Sequence, residues 1–195
     1  MNEGHLRYLV SPQWREAIEH DLVPWTLQQT DLGPHLLEIG PGPGLTTDVL
    51  RQRTERVTAV ELDADLAREL AARLAGTNVD VVNADATDGA LPADTYSSAA
   101  CFTMLHHVPT TEQQDRLFAE VHRVLRPGGV LVGVDSLDTE VVRAGHVDDV
   151  FNPVDPDTLA DRLRRAGFSA VTVERREHQV RFRATKCSPG APLSR

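Results

Sequence analysis

The sequence predicts one α/β domain in which a parallel sheet carries helices on both faces. Short runs rich in β-branched residues alternate along the chain with segments of helical periodicity, and no internal repeat interrupts this order. The length of 195 residues suits a single domain with a sizeable core. The alternation therefore indicates strand–helix–strand units rather than a helical bundle or an all-β fold.

Each predicted element has a recognisable sequence signal. The first helix begins with Ser11 as its N-cap and Pro12 in the first helical position, and we expect an interruption near Pro24. Further helices are expected over 46–53, 64–74 and 156–166, and a helix reaching position 123 has two alternative capping boxes, Thr110 with Gln113 or Thr111 with Gln114. Strands are expected near 36–39, 56–61, 79–83, 97–102, after 129, and over 170–174 and 179–184.

The most informative segment is 36–47, Leu-Leu-Glu-Ile-Gly-Pro-Gly-Pro-Gly-Leu-Thr-Thr. It predicts a strand, a tight turn and a helix N-terminus, where glycines let a ligand lie close to the backbone and the helix start favours an anionic group. The Gly-x-Gly-x-Gly spacing differs from the dinucleotide pattern Gly-x-Gly-x-x-Gly. Glu38, two residues before Gly40, suggests a ligand that carries both a positive group and a carboxylate. The amino-acid end of S-adenosylmethionine fits this description better than a pyrophosphate does.

The next two predicted strands also end in acids. Glu61 lies where a nucleotide-binding fold places a carboxylate for ribose hydroxyls, and Asp85 is placed to accept from an adenine amine. Together the three strand ends indicate one adenosine-containing ligand across the carboxyl edge of the sheet.

These features resemble the class I S-adenosylmethionine-dependent methyltransferases, in particular the small, single-domain, type 11-like members, from about Leu36 to Phe182. Further family marks are the segments 97–102 and 104–107, Ser-Ser-Ala-Ala-Cys-Phe and Met-Leu-His-His, and 125–129, Leu-Arg-Pro-Gly-Gly. The resemblance implies a Rossmann-like, seven-stranded, mostly parallel sheet whose last two strands form an antiparallel edge. It also implies S-adenosylmethionine as cofactor, with S-adenosylhomocysteine as product. The expected cofactor-binding residues are Glu38, Gly40, Pro41, Gly42 and Gly44 at the methionine part, Glu61 and Leu62 at the ribose, Asp85 and Ala86 at the adenine, and Phe102.

The expected domain organisation is an N-terminal helical lid over 1–30, the methyltransferase domain over 31–186, and a flexible tail over 187–195. Tyr8 and Trp14 of the lid are candidate acceptor-binding residues, although a Trp spaced helically with Ile18 is more often part of a core. His107 and His146 are further acceptor candidates. His106, after the fourth strand, is the first choice for a general base, with a packing role as the equal alternative, and Asp135 is the second catalytic candidate.

The region after the fifth strand is acidic and holds one histidine, with Asp135, Asp138, Glu140, His146, Asp148 and Asp149 within fifteen positions. Such a set could bind Mg²⁺ and orient a diol. The spacing matches no fixed metal motif, so a solvated acidic loop is the favoured interpretation and we assign no metal ligand. The C-terminal basic residues Arg175, Arg176, Arg181, Arg183 and Lys186 are expected to form the solvated face of an edge hairpin.

Composition limits the partners. The formal net charge is −9 and Lys186 is the one lysine, which argues against binding of a nucleic-acid backbone. No stretch reaches the length of a membrane span, the N-terminus lacks a signal-peptide pattern, and Cys101 and Cys187 make no disulfide framework. We therefore expect a cytoplasmic monomer or homodimer that acts on a small molecule.

The function predicted from the sequence is methyl transfer from S-adenosylmethionine to a small-molecule hydroxyl, such as that of a sugar, another polyol or a secondary metabolite. One alternative is a non-catalytic module that binds S-adenosylmethionine. A second is a relative of the rRNA adenine dimethyltransferases, whose Glu-Ile-Gly-Pro-Gly turn this chain shares. Those enzymes need Asn-x-Pro-aromatic after the fourth strand, where this chain has Cys-Phe-Thr-Met-Leu over 101–105, so this alternative is disfavoured. The glycine spacing and Asp85 likewise disfavour a nicotinamide oxidoreductase.

Overall fold

The structure, a computed structural model, describes residues 3–188 and contains one seven-stranded sheet. Its strands are β1 (His35–Ile39), β2 (Arg56–Glu61), β3 (Val79–Asn83), β4 (Tyr96–Phe102), β5 (Leu125–Ser136), β6 (Phe168–Arg176) and β7 (Gln179–Lys186). They lie in the order β3-β2-β1-β4-β5-β7-β6. Pairing is parallel from β3 to β5 and antiparallel for β5 with β7 and β7 with β6, so the predicted fold is confirmed.

The strand order reverses between β1 and β4. β1 pairs with β2 on one side and with β4 on the other, and the chain leaves the carboxyl ends of β1 and β4 in opposite directions. In open parallel sheets a ligand binds in the crevice at this switch point. The glycine turn follows β1, so the topology brings it beside the end of β4.

The helices are α1 (Glu3–Leu9), α2 (Pro12–Ala17), α3 (Val23–Leu27), α4 (Leu45–Leu50), α5 (Ala64–Arg73), α6 (Thr111–Val124), α7 (Glu140–Gly145) and α8 (Pro156–Arg165). Ser11 caps α2 by accepting from the backbone N–H of Trp14, as predicted. Of the two capping boxes left open, the structure forms the one that joins Thr110 and Gln113. Asp155 caps α8 by accepting from the N–H of Asp157.

The expected interruption near Pro24 takes a different form. A π-helical turn, Ile18–Leu22, joins α2 to α3, and Pro24 lies in the first turn of α3. Proline lacks a donor N–H and is tolerated at the start of a helix, so the wider turn lets the chain stay helical from Pro12 to Leu27. The α-helix is thus interrupted just before Pro24, but by a π-helical turn and without an end to the helical stretch.

Each face of the sheet packs against its own core. Leu36 and Phe102 lie on the face covered by the N-terminal helices and α4, together with Ile18, Leu22 and Val23. The next residue in β1, Leu37, points to the other face, where it joins the buried residues Leu117, Phe118, Leu159 and Phe182. This alternation places helices on both faces and leaves the carboxyl edge open.

The N-terminal helices are fixed to the antiparallel edge by arginines. The guanidinium of Arg176 lies 4.0 Å from the ring centroid of Trp25, and its nitrogens pair with Asp21. Arg181 is buried, donates to the carbonyl oxygen of Trp25, and pairs with Glu174 at 2.6 Å. The prediction of a solvated basic face was therefore wrong for Arg176 and Arg181, because Trp25 covers them.

The predicted division into a lid over 1–30, a domain over 31–186 and a tail stays a prediction. Buried residues such as Ile18 and Leu27 make the π-helical turn and α3 part of the core. Positions 1–2 and 189–195 lie outside the described residues, and with them most of the predicted tail. No helix in the described part of the chain is both long and apolar enough to cross a membrane.

Candidate functional site

A cavity of about 680 Å³ opens at the carboxyl edge of the sheet, at the switch point between β1 and β4. This volume lies within the range of small-molecule sites. The predicted cofactor residues that line it are Gly40, Pro41, Gly42, Glu61, Leu62, Asp85, Ala86 and Phe102. Two other predicted cofactor residues, Glu38 and Gly44, lie outside the lining.

The glycine turn presents bare backbone to the cavity. Gly40 and Gly42 have φ values of +63° and +54°, a backbone conformation that residues with a Cβ rarely adopt. A Cβ added to Gly42 would meet no atom of the described residues within 4 Å, whereas one on Gly40 would lie 3.0 Å from the Cβ of Met104. The turn therefore leaves open space directly above Gly42, while Gly40 packs against the segment that follows β4.

Gly44 is required for close packing between α4 and α5 and does not line the cavity. Its φ is +85°, and a Cβ there would clash with Leu70 and lie 2.6 Å from Nη2 of Arg73, both on α5. Arg73 also donates to the carbonyl oxygens of Pro43 and Gly44 and pairs with Asp48. The third glycine is thus needed so that α4 and the turn can lie close to α5.

Glu38 is buried near the end of β1 and lies two residues before the turn, with 1% of its surface exposed. Neither carboxylate oxygen accepts a hydrogen bond from the described residues. Burial raises the pKa of Glu38 from 4.5 to about 7, because a charged carboxylate loses its hydration there. The Thr47 side chain lowers this pKa only in part, so the buried carboxylate favours the approach of a cationic group.

Glu61 connects two elements of the cavity wall. One of its carboxylate oxygens accepts from the N–H of Gly42 at 2.9 Å, and the other accepts from the N–H of Asp63 at 3.0 Å. A carboxylate has about four lone-pair positions, so each oxygen retains acceptor capacity toward the cavity. Asp85 is held by Thr87, whose N–H and hydroxyl both donate to one oxygen at 2.8 Å.

The charge of the cavity wall is one-sided. Of the residues described by the structure, five acids line the cavity and no lysine or arginine does; the acids are Glu61, Asp63, Asp65, Asp85 and Asp149. Such a wall attracts cations and repels phosphate groups. It suits a sulfonium or ammonium ligand and opposes a pyrophosphate or a nucleic-acid backbone.

The remaining wall mixes apolar and neutral polar groups. Trp14 and Leu9 line it from the N-terminal segment, and His107 and Gln113 line it from the region after β4. Trp14 also packs against the buried core, so the core and pocket interpretations of this residue both describe part of its surroundings. Tyr8 is 51% exposed and lies outside the lining, with its ring 5.3 Å from that of Trp14.

The two predicted catalytic residues lie together behind this wall. Nδ1 of His106 is 2.6 Å from a carboxylate oxygen of Asp135, and the N–H groups of Leu105 and Ser136 also donate to this carboxylate. Asp135 is fully buried, His106 is 1% exposed, and neither lines the cavity. The expectation that they face the acceptor therefore needs correction, because His107 rather than His106 reaches the wall.

The predicted acidic loop does not gather its carboxylates. Asp138 pairs with Arg143, which lowers the pKa of Asp138, and Asp135 is bonded to His106. His146, the one histidine of this set, is the C-cap of α7. Its ring centroid lies 4.9 Å from that of His106 and 5.4 Å from that of His107. Of the described loop residues in this set, Asp149 lines the cavity, whereas His146 lies outside the lining and packs against His106 and His107.

Sequence reasoning missed several lining residues. Thr103 has a left-handed φ of 49° directly after β4, and its N–H donates to the carbonyl oxygen of Val134. Asp63 caps α5 through the N–H groups of Asp65 and Leu66. The N-cap pattern of Asp63, two residues after Glu61, was a usable signal, but nothing in the local sequence distinguishes Thr103 or the more distant Val150.

The strand order, the glycine turn and the acids at the strand ends define a Rossmann-like nucleotide-binding protein. The family model of a methyltransferase domain matches residues 37–133. Phosphoethanolamine N-methyltransferase 2 of Haemonchus contortus, solved with S-adenosyl-L-methionine, has a TM-score of 0.73 at 14% identity over 91% of this chain and 53% of that one. An uncharacterized methyltransferase of Geobacillus kaustophilus is 24% identical over 81% of this chain and 86% of its own.

Shorter matches of higher identity are to rRNA methyltransferases. The ribosomal RNA small subunit methyltransferase A of Deinococcus radiodurans is 48% identical over 66 residues, which is 32% of this chain. The chain spans only 16–29% of the length of the first three rRNA methyltransferases that it matches. The chain belongs to the class I S-adenosylmethionine-dependent methyltransferases. The predicted family, enzyme class and cofactor are thereby confirmed.

Proposed function

We propose that this enzyme transfers a methyl group from S-adenosylmethionine to a hydroxyl of a small-molecule acceptor in the cavity at the carboxyl edge. The observation that carries the donor half of this proposal is the acidic wall above the unpartnered, buried Glu38. S-adenosylmethionine carries a sulfonium and an ammonium group, which both complement this charge. The proposed cytoplasmic location rests on the sequence alone.

The residues present fit the donor. The bare backbone over Gly42 and the helix start at Leu45 suit the amino-acid end of the donor, with Glu38 below it for the ammonium group. Glu61 has the remaining acceptor capacity for two ribose hydroxyls, and Asp85 with Ala86 would flank the adenine. Phe102 and Leu62 would complete the apolar contacts of the adenosine part.

When bound, the donor supplies an electrophilic methyl group, and the proton of the acceptor hydroxyl would pass to a carboxylate of the acidic wall. The chain then has to hold the acceptor oxygen in line with that methyl and exclude water, since proximity and desolvation supply much of the acceleration. The apolar side chains of Leu9, Trp14 and Leu117 exclude water from the inner wall. Gln113 can hydrogen-bond a neutral polar acceptor and the ring of His107 can pack against it, while the absence of basic side chains from the described lining disfavours an acidic one.

His106 and Asp135 would act as positioning residues. Asp135 fixes the ring of His106 through Nδ1, and this ring packs against His107 with centroids 4.2 Å apart. The orientation of His107 at the cavity wall therefore depends on two side chains that never touch the acceptor.

The match to rRNA methyltransferases supports a second candidate, methylation of an adenine amine in RNA. Against it stand the acidic wall and the segment 101–105, which lacks the Asn-x-Pro-aromatic sequence. A third candidate, cofactor binding without catalysis, predicts the same donor site and no product.

The first experiment is a calorimetric titration with S-adenosylhomocysteine, with and without Mg²⁺, and with NADH as the control ligand. Binding of S-adenosylhomocysteine alone supports the donor site, and binding of NADH in its place would refute it. Transfer of a labelled methyl group to a panel of hydroxylated compounds, beside amines and an rRNA oligonucleotide, then separates the three candidates.

A substitution at the ribose position tests the placement of the donor. Glu61→Ala should weaken binding of S-adenosylhomocysteine at least about tenfold, because it removes charge-assisted hydrogen bonds. Since Glu61 also accepts from Gly42 and Asp63, the variant's unfolding transition must be measured beside its affinity. The matched control is Glu55→Ala, at an exposed site away from the cavity. Unchanged affinity in a folded Glu61→Ala protein would contradict the placement.

A further inference from the structure

Three histidines meet at the border of the cavity. His106 and His107 lie in a 3-10 turn, Leu105–His107, directly after β4, and His146 ends α7, which follows β5. One ring nitrogen of each histidine lies within 4.8 Å of a ring nitrogen of each of the other two. Their ring centroids are 4.2, 4.9 and 5.4 Å apart.

The same nitrogen of each ring is already engaged elsewhere. Nδ1 of His106 donates to Asp135 at 2.6 Å, Nδ1 of His146 lies 2.7 Å from the carbonyl oxygen of Val142, and Nδ1 of His107 lies 3.3 Å from that of Val150. A carboxylate or carbonyl acceptor at Nδ1 fixes the tautomer and aims Nε2 away from it, which is the arrangement of metal-binding histidines.

His106 supplies the second, independent observation. Its Nε2 is buried, has no hydrogen-bond partner among the described residues, and lies on the side of the ring opposite Asp135. The carboxylate of Asp135 accepts hydrogen bonds from two backbone N–H groups and from Nδ1–H of His106, so the hydrogen of the neutral ring stays on Nδ1 and the lone pair lies on Nε2. A buried nitrogen lone pair of this kind is stabilised by a bound cation or by a hydrogen-bond donor.

We propose that His106, His107 and His146 bind a divalent transition-metal ion of the Zn²⁺ class through their Nε2 atoms. Bonds of 2.0–2.1 Å in a tetrahedral arrangement place the nitrogens about 3.4 Å apart and the ring centroids roughly 5 Å apart. The observed centroid distances already bracket this value, so binding needs only small rotations of the rings. Three imidazoles do not suit Mg²⁺, which prefers oxygen ligands.

The ion would fix one wall of the cavity. His146 belongs to the segment 138–151, whose Asp149 and Val150 line the cavity, while His106 and His107 extend from the central strand β4. The segment is already anchored where the N–H of Asn152 donates to the carbonyl oxygen of His106 at 2.7 Å. A metal bond to His146 would add a second anchor six residues earlier. This inference goes beyond the proposed function, and its test requires no methyl transfer.

The test uses the full chain freed of metal with a chelator. Zn²⁺ titrated against a chromophoric competitor should bind at one equivalent per chain, and Mg²⁺ should not displace it. Co²⁺ in place of Zn²⁺ should give the intense visible absorption of a four-coordinate ion. His146→Ala and His146→Asn should each weaken Zn²⁺ binding by at least about 100-fold. The matched control His20→Ala, at an exposed position, should bind like the wild type.

A second readout follows the segment itself. Amide hydrogen exchange over 138–151 should slow when Zn²⁺ is added to the wild type and stay unchanged in the His146 variants. Equal Zn²⁺ affinity in the wild type and the His146 variants would overturn the proposal, as would an octahedral Co²⁺ spectrum of the wild type. Because the wild-type spectrum alone can refute the site, the test holds even if a variant fails to fold. Failure of the S-adenosylhomocysteine titration would instead concern the donor site.

Discussion

The buried carboxylate below the glycine turn makes the stability of the ligand-free protein depend on pH. The pKa of Glu38 is raised from 4.5 to about 7 by burial. The folded protein therefore holds a proton that the unfolded chain releases between these two values, and stability falls as the pH rises through this window. At 1.36 kcal/mol per pKa unit the full effect is about 3 kcal/mol, complete below pH 4.5 and lost above pH 7.

Glu38→Gln isolates this effect, since glutamine has nearly the same shape and no charge. Urea unfolding of the wild type and the variant at pH 5 and pH 8 should show the wild type losing about 2–3 kcal/mol relative to the variant. Glu55→Gln, at an exposed position, should follow the wild type at both pH values. Parallel profiles for the wild type and Glu38→Gln would refute the assignment of a raised pKa to this carboxyl group.

The same carboxyl group should report on the bound donor. A ligand ammonium group close to Glu38 favours the charged carboxylate and lowers its pKa. Near pH 6.5 the binding of S-adenosylhomocysteine should therefore release protons, and calorimetric heats should differ between buffers of different ionisation enthalpy. Buffer-independent heats would mean that the amino group does not approach Glu38.

Two further substitutions test packing. Gly44→Ala should destabilise the fold by roughly 2–4 kcal/mol in urea unfolding, because the new Cβ clashes with Leu70 and adopts a positive φ; a loss below about 0.5 kcal/mol would contradict this role. Arg181→Ala should cost about 2–4 kcal/mol, since it leaves the buried carbonyl of Trp25 without its donor, whereas the exposed Arg175→Ala should cost under about 0.5 kcal/mol. Equal losses of stability in the Arg181 and Arg175 variants would argue against a stabilising contact between Arg181 and Trp25.

The local features of the donor site could be predicted because each is encoded by a short segment of the sequence. The glycine turn follows β1, Glu38 and Glu61 lie in the last residues of β1 and β2, and Asp85 comes two residues after β3. Parallel strands bring these positions to one edge of the sheet. Gly44 belongs to the same motif, but it must be glycine because a side chain there would clash with Leu70 on α5, 26 residues further along the chain. Sequence spacing alone cannot distinguish a glycine that admits a ligand from one that admits a helix.

The three histidines were each expected on the acceptor side of the site, but their grouping around one point could not be predicted, for a related reason. His107 and His146 are 39 positions apart. The sequence between β5 and α8 has no pattern that predicts which part of the fold this segment packs against. Its course is set by tertiary hydrogen bonds, among them those that Gln114 donates to the carbonyl oxygens of Leu105 and Asn152. The basic edge was misjudged in the same way, since the sequence shows the charge of Arg176 but not the ring of Trp25 over it.

The attachment of Trp25 to the antiparallel edge also limits how ligands can enter and leave. Because Arg176 and Arg181 hold Trp25 and because Ile18 and Leu22 are buried, the helical stretch from Pro12 to Leu27 cannot swing away without partial unfolding. Any hinge of the predicted lid must then lie at Val10 and Ser11, which leaves α1 as the moving element. A helix of seven residues can reopen within nanoseconds to microseconds. We therefore expect α1, rather than the helices from Pro12 to Leu27, to move when ligands enter and leave the cavity.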